Sequence, residues 1–199
     1  MCTARLFGVW SCFWTALVSH PLSGFSATRS DPVPASQLEQ RAGDLSITFQ
    51  IQTNGIRLQS LADLGRGKEL LASNTPPLFS LTLRQTETKT ERRLGADSGW
   101  RKVSSQTSTG VLSFIWEEPA DESLTGLSVT ARAISDTGNH AVRWSLRAQN
   151  KSTNWSILRV IFPQVTVRDL GEKAGVVFPR GPGEVQRGVW SRSFKYHGN

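Results

Sequence analysis

The stretch Leu45–Leu61, LSITFQIQTNGIRLQSL, decides the fold predicted for this chain. Apolar and polar side chains alternate from Leu45 to Gln52, which is the period of a strand with one buried face. Asn54-Gly55 follows, a dipeptide suited to the positive φ angles of a tight hairpin turn. The alternation resumes at Ile56, so the stretch predicts a β-hairpin.

Further segments that predict strands follow along the chain, separated by turns that contain glycine, proline or asparagine. They are Leu78–Arg84, Val111–Trp116, Leu127–Ile134, Ala141–Ala148 and Ile157–Phe162. Pro163 argues for an edge position or a break at that point. Beyond the first residues, the sequence shows no sustained apolar stripe of helical period. Many short strands between turns predict an all-β fold, an antiparallel β-sandwich over residues 44–189.

The first 27 residues have the layout of a secretory signal peptide. Arg5 gives a positive start, the apolar run Leu6–Val18 follows, and small residues lie around Ser23–Ala27. The run is shorter than the about 20 residues that cross a bilayer. We therefore expect the leader to be cleaved and the protein to be secreted or extracytoplasmic, with no membrane attachment afterwards; a permanent membrane anchor is the weaker alternative. Residues 28–43 then form a flexible lead-in.

Cysteine and charge exclude several kinds of site. Cys2 and Cys12 are the two cysteines of the chain, and both lie in the leader. Cleavage therefore excludes disulfides, zinc–cysteine sites and a thiol nucleophile. The net charge of +7 comes from basic residues scattered among acidic ones. This scatter favours a solvated surface over a nucleic-acid site, so we expect no nucleic-acid partner.

Motifs for catalysis are sparse. Glu117 and Glu118 are adjacent, so on a strand they point to opposite faces and cannot form the facing carboxylates of a glycosidase, about 5–9.5 Å apart. The sequence contains no nucleophile elbow, phosphate-binding glycine loop or histidine-rich metal spacing. His140 follows the Gly138-Asn139 turn, where we expect a solvated side chain. We expect no catalytic residue, metal ion or cofactor in this chain alone.

Tryptophans are the main candidates for stacking on sugar. Trp116 and Trp144 lie among aliphatic residues in predicted strands, which favours core packing with a bonded indole N–H. Trp100 and Trp190 lie among glycine, serine and arginine, so exposure is as reasonable as burial. Asn150-Lys151-Ser152 and Asn154-Trp155-Ser156 match the N-glycosylation pattern, which we interpret as a sign of surface turns.

The loop Pro179–Glu184 has the composition of a binding loop. Its two glycines around a proline allow close backbone approach, while Arg180 and Glu184 supply a donor and an acceptor. A structural turn between two strands is the alternative. We take Arg180, Glu184, Trp190 and Trp100 as candidate carbohydrate-binding or domain-interface residues.

Three motifs resemble those of a known family: Thr53–Ile56, Gly67–Leu71 and Val176–Glu184. Together they resemble the N-terminal β-sandwich of glycosidase-like proteins in the galactose-mutarotase-like superfamily, the supersandwiches. In that family the sandwich precedes a (β/α)-barrel that carries the catalytic carboxylates. The present sequence has no such barrel, so the resemblance implies that residues 190–199 begin a linker to a downstream domain.

The resemblance implies the non-catalytic sandwich of a secreted glycoside-hydrolase-like protein. Its expected partners are carbohydrate and the downstream catalytic domain, on which it packs. A free-standing secreted sandwich that binds carbohydrate or protein is the first alternative. An aldose mutarotase is the second, with His140 as the acid and Glu184 as the base.

Overall fold

The computed structural model describes residues 36–178 and 184–188, all within one compact unit, Val33–Asn199. The predicted signal peptide and the predicted linker lie outside the described residues. Within these ranges the chain forms thirteen strands and two 3-10 turns, and no α-helix. Accordingly, no helix in the described part of the chain is long and apolar enough to cross a membrane.

Most strands follow one another through short turns, and longer loops join β4 to β5 and β11 to β12. In chain order they are β1 Ser36–Ala42, β2 Leu45–Gln52, β3 Gly55–Asp63, β4 Lys68–Glu69, β5 Ser80–Gln85, β6 Glu91–Gly95, β7 Trp100–Ser108, β8 Val111–Pro119, β9 Leu127–Asp136, β10 Ala141–Asn150, β11 Trp155–Ile161, β12 Gly175–Phe178 and β13 Glu184–Arg187. The 3-10 turns are Glu122–Leu124, between β8 and β9, and Thr137–Asn139, between β9 and β10.

All pairings between these strands are antiparallel. The first sheet has the order β1-β2-β3-β4, the second sheet β10-β9-β8-β7, and the third sheet β11-β5-β6, while β12 and β13 form a separate hairpin. Apolar side chains from the three sheets share one core. The predicted all-β class and the antiparallel sandwich are therefore confirmed.

The predicted hairpin is present as β2 and β3, but its turn residues are Thr53 and Asn54, and neither Asn54 nor Gly55 has the positive φ that the dipeptide suggested. Its register pairs Gln52 with Gly55 and Ile51 with Ile56. Gly55 fits at this position only because it has no side chain. A Cβ atom there would lie 2.1 Å from the carbonyl carbon of Asp97. The hairpin thus presses directly against the loop before β7.

One part of the predicted lead-in is wrong. Residues 36–42 form β1 and pair along their whole length with β2, from Ser36 opposite Ile51 to Ala42 opposite Leu45. The physical reason is alternation, because Gln40 and Ala42 are buried on the core side while Glu39 is exposed. The polar composition of the segment hid this pattern.

Seven aromatic rings run through the core as an unbroken series of contacts, which we call the aromatic chain. In order its members are Trp100, Phe79, Trp116, Phe114, Phe49, Trp144 and Phe162. The closest ring centroids, those of Phe49 and Phe114, are 4.7 Å apart across the first and second sheets. Such edge contacts add about 0.5–1.5 kcal/mol each beyond the burial of area. The aromatic chain therefore ties the sheets together.

Candidate functional site

The residues nominated from sequence do not come together in the described part of the chain. Arg180 and Trp190 lie outside the described residues. Glu184 begins β13 and pairs with Phe178, but its side chain also lies outside what the structure describes. Trp100 is 2% exposed. The nominated loop and the two nominated tryptophans therefore give no site that can be built from described side chains.

The exposure considered for Trp100 is wrong. Its ring packs against Phe79, and its indole N–H donates to the carbonyl oxygen of Gly95 at 2.7 Å. Burial and this hydrogen bond leave no indole face for stacking on sugar. The core position predicted for Trp116 is confirmed, whereas Trp144 packs against the core. Trp116 is fully buried, and Trp144 is half-buried between Phe49 and Phe162.

A cleft of about 580 Å³ opens where three turns meet, a size typical of small-molecule sites. The turns join β1 to β2, β3 to β4, and β9 to β10. The residues that line this cleft, here called the three-turn cleft, are Asp44, Leu45, Asp63, Gly65, Arg66, Leu70 and His140. Polar groups from distant parts of the chain therefore surround one space, with two leucines among them.

The turn before β10 fixes the position of His140. The carboxylate of Asp136 accepts hydrogen bonds from the backbone N–H and the side-chain amide of Asn139, at 3.3 and 2.9 Å. It also binds the guanidinium of Arg143 at 2.8 Å. The bonds to Arg143 first, and then to Asn139, lower the pKa of Asp136. His140 follows this braced turn with a φ of 48°, in the left-handed region that few side chains adopt.

A glycine and a backbone N–H hold the His140 ring from the neighbouring turn. The N–H of Asp44 donates to His140 Nδ1 at 3.1 Å, so the neutral ring carries its hydrogen on Nε2. Gly43 has a φ of +58°, and a Cβ atom there would lie 2.4 Å from Nδ1. The ring can occupy this position only because residue 43 has no side chain.

The turn between β3 and β4 supplies the opposite charges of the cleft. The Asp63 carboxylate accepts from the backbone N–H of Arg66 at 3.0 Å and contacts its guanidinium at 3.3 Å. The N–H of Leu64 donates to the carbonyl oxygen of Asp44 at 2.7 Å. A Cβ atom on Gly65 would come within 2.9 Å of an Asp44 carboxylate oxygen. The loop of Asp44 is thus clamped between the two other turns.

The three-turn cleft presents hydrogen-bonding groups to solvent. The side chains of His140 and Asp44 are 58% and 65% exposed, and His140 Nδ1 lies 3.7 Å from an Asp44 carboxylate oxygen. An imidazole N–H, carboxylate oxygens and a guanidinium together offer donors and acceptors to hydroxyl groups. The described residues include no group of three or more His, Cys, Asp or Glu side chains placed to hold a metal ion.

A second groove, of about 390 Å³, lies beside β3. Two of the charged side chains that line it, Glu69 and Arg168, are hydrogen-bonded to other groups of the protein. Burial opposes ionisation of Glu69, but hydrogen bonds from Ser60, Leu61 and Leu71 outweigh it and lower the Glu69 pKa. Arg168 Nε donates to the Leu71 carbonyl at 2.8 Å. These groups stabilise the fold, which leaves the three-turn cleft as the better candidate.

Both glycosylation motifs lie at the turn between β10 and β11, as the surface-turn interpretation predicted. The two ends of the Asn150 amide are occupied, because Nδ2 donates to the Trp155 carbonyl at 2.6 Å and Oδ1 accepts from the Ser152 N–H at 3.0 Å. Asn154 is exposed. The first motif is therefore a structural turn.

Sequence reasoning found one member of the three-turn cleft and missed the rest. The solvated position predicted for His140 is confirmed. Asp44, Asp63 and Arg66 carry only a weak signal in the sequence, a turn glycine beside Asp44 and Arg66 and one two residues after Asp63. That signal is common in surface turns and shows nothing of which turns meet in space.

Comparison with models of known protein families finds none that matches this chain, and comparison with curated proteins finds no match either. The geometry of the cleft and the motifs of the sequence are therefore the basis for assigning a function.

Proposed function

We propose that this protein is a non-catalytic β-sandwich that binds carbohydrate in the three-turn cleft. One observation carries the proposal. The three-turn cleft is lined by His140, Asp63 and Arg66, which come from two separate turns, and also by Leu45 and Leu70. Sugars offer hydroxyl groups along their edges and C–H groups on their faces. Polar groups held in place beside apolar side chains suit both surfaces of such a ligand.

The exposure of the polar groups supports binding rather than catalysis. General acids and bases in enzymes are commonly tuned by burial and by neighbouring charges. Here the His140 and Asp44 side chains are more than half exposed, and the Arg66 side chain is 79% exposed. Asp63 is less exposed but is bonded to Arg66. This arrangement can orient hydroxyl groups without activating a nucleophile.

The motif resemblance supports a place for this sandwich in a larger secreted protein. In that proposal it packs on a glycoside-hydrolase-like barrel and adds a sugar-binding surface to it. Reading the coding sequence beyond Asn199 separates this arrangement from a free-standing binding module. Continuation into alternating strands and helices is the expected result, whereas an immediate stop codon would favour the free-standing module.

Calorimetric titration of the purified chain tests sugar binding in the cleft. A screen of neutral oligosaccharides is expected to identify a ligand, and its affinity is then measured for Asp63→Asn and His140→Asn. Asparagine keeps an oxygen acceptor at position 63 and tolerates the left-handed backbone at position 140. Each variant is expected to bind about tenfold more weakly, the effect of losing one hydrogen bond to a charged or fixed group.

A matched control keeps this experiment specific. Asp169 accepts from the backbone N–H of Gly171 at 2.8 Å, as Asp63 does from Arg66, but it lies outside the cleft. Asp169→Asn is therefore expected to bind like the parent chain. Equal affinity of all variants, or no binding of any neutral oligosaccharide, would refute the proposed site.

A further inference from the structure

The second sheet carries two arginines side by side on the face that points away from the core. Arg132 in β9 is opposite Ser145 in β10, and Arg147 in β10 is opposite Thr130 in β9. Because of this register the two arginines are diagonal neighbours, with Cα atoms about 7–8 Å apart. Both are exposed, whereas Ala131 between the two β9 positions is fully buried. We call this pair and its hydroxyl neighbours the arginine face.

The charges of the arginine face are uncompensated in the described part of the chain. Neither Arg132 nor Arg147 forms an ion pair with a described residue. Arg143, on the same side of β10, is bonded to Asp136 at 2.8 Å. Glu117, on the same side of β8, is bonded to Lys102 at 2.7 Å. Arg132 and Arg147 are diagonal neighbours of like charge, so a bound anion would relieve the repulsion between them.

Hydroxyl groups surround the arginines and complete a set of donors. Thr130 and Ser145 line a shallow groove of about 240 Å³ together with Arg132 and Arg147. Ser113 in β8 lies opposite Arg132 on its other side. Guanidinium groups offer paired N–H donors that match the oxygens of carboxylate and of sulfate or phosphate groups. The groove therefore offers donors and no described carboxylate.

We infer that the arginine face binds an acidic polysaccharide through its sulfate or carboxylate groups. The site is separate from the three-turn cleft and shares no lining residue with it. An exposed sheet face suits an extended chain that presents charges at intervals. Single-stranded nucleic acid fits less well, because Phe114, Trp116 and Trp144 of this sheet lie in or against the core and leave no ring for base stacking.

Binding to dextran sulfate, to polygalacturonate and to uncharged dextran tests the inference and separates the two anions. The full chain is expected to bind at least one of the two charged polymers more tightly than dextran. The double variant Arg132→Gln with Arg147→Gln is expected to weaken that binding on the order of tenfold or more. The lysine double variant, R132K with R147K, keeps the charge but loses the planar donors, so an intermediate loss is expected.

A charge-matched control removes the effect of net charge. Arg93 and Lys173 are exposed and form no ion pair with a described residue, and they belong to other parts of the surface. Arg93→Gln with Lys173→Gln is expected to change the affinity by less than about twofold. Equal losses in the two glutamine double variants, or duplex DNA that competes as well as the preferred polymer, would overturn the inference. Circular dichroism confirms that each variant is folded.

Discussion

The indole N–H groups of Trp100 and Trp116 donate to the carbonyl oxygens of consecutive residues, Gly95 and Ala96, at 2.7 and 2.9 Å. The Ala96 oxygen also accepts from the backbone N–H of Ile56 at 2.7 Å. Three elements, the β2–β3 hairpin, β7 and β8, therefore meet on two neighbouring peptide groups. Both indoles are buried, and the bond of Trp116 is buried with its ring.

Trp116→Phe is expected to lower the free energy of unfolding by about 2–3 kcal/mol. The change leaves a cavity in the core and removes the bond to the Ala96 carbonyl. Urea denaturation followed by circular dichroism measures the loss. Trp144→Phe is the control, because Trp144 is half-buried, and a loss of only about 1 kcal/mol is expected there. A smaller effect at Trp116 than at Trp144 would contradict the account of the core.

Gly43→Ala is expected to destabilise the fold by about 2–4 kcal/mol, because left-handed strain adds to the clash with the His140 ring. In a His140→Gly background the cost is expected to fall to about 1–2 kcal/mol, the strain alone. Gly67 has a similar φ of +60° with nothing within 4 Å, so Gly67→Ala measures strain without a clash. Equal costs for the two glycine substitutions would show that His140 does not occupy this position.

Gln40→Leu is expected to lower the free energy of unfolding by about 1–2 kcal/mol. The buried amide donates to the Gly110 carbonyl at 3.0 Å and to the Ser135 hydroxyl at 2.5 Å, and leucine can make neither bond. Gln37→Leu, at an exposed position of the same strand, is expected to change stability by less than about 0.5 kcal/mol. Indistinguishable denaturation curves for the two variants would argue against β1 as part of the sandwich.

The pKa of the Asp136 carboxyl is expected to rise in Arg143→Gln, since the bond to Arg143 is the largest cause of its lowering. A carboxyl with a lowered folded pKa stabilises the fold above the unfolded aspartate pKa of about 3.9. That stabilisation is lost as the pH falls through the folded pKa. The stability difference between the parent chain and Asp136→Asn should therefore shrink below about pH 3.9.

NMR titration of the Asp136 carboxyl carbon checks the shift, and urea denaturation across the same pH range checks its effect on stability. Arg84→Gln is the control, because Arg84 pairs with Glu91 on another sheet. It should leave the Asp136 titration unchanged. A titration of Asp136 that is the same with and without Arg143 would contradict the assigned cause.

The fold was predictable because each sheet repeats a local pattern. Alternation on either side of Asn54-Gly55 predicts both the hairpin and the buried faces of β2 and β3. This prediction needs only residues that are close together in sequence. The pattern failed for β1, where the inward residue is Gln40 rather than an apolar side chain. An amide becomes a core residue only through partners such as Gly110, which lies 70 positions away.

The candidate site was harder to predict because it depends on which turns meet. His140 and Asp44 are 96 positions apart, and only the packing of the first sheet on the second brings them into contact. Trp100 is a second residue whose environment could not be predicted from its neighbours in sequence. Its neighbours in sequence are polar or small, but its environment is set by Phe79 in three dimensions.

The aromatic chain joins residues that are synthesised at very different times. Phe49 lies in the first hairpin, but its ring partners are Phe114 and Trp144, in strands made much later during synthesis. Closing loops of that length is slow, because entropy is lost before any contact forms. While the chain grows on the ribosome, the apolar face of the hairpin has no native cover. The series of ring contacts is therefore complete only once Phe162, its last member, has been synthesised.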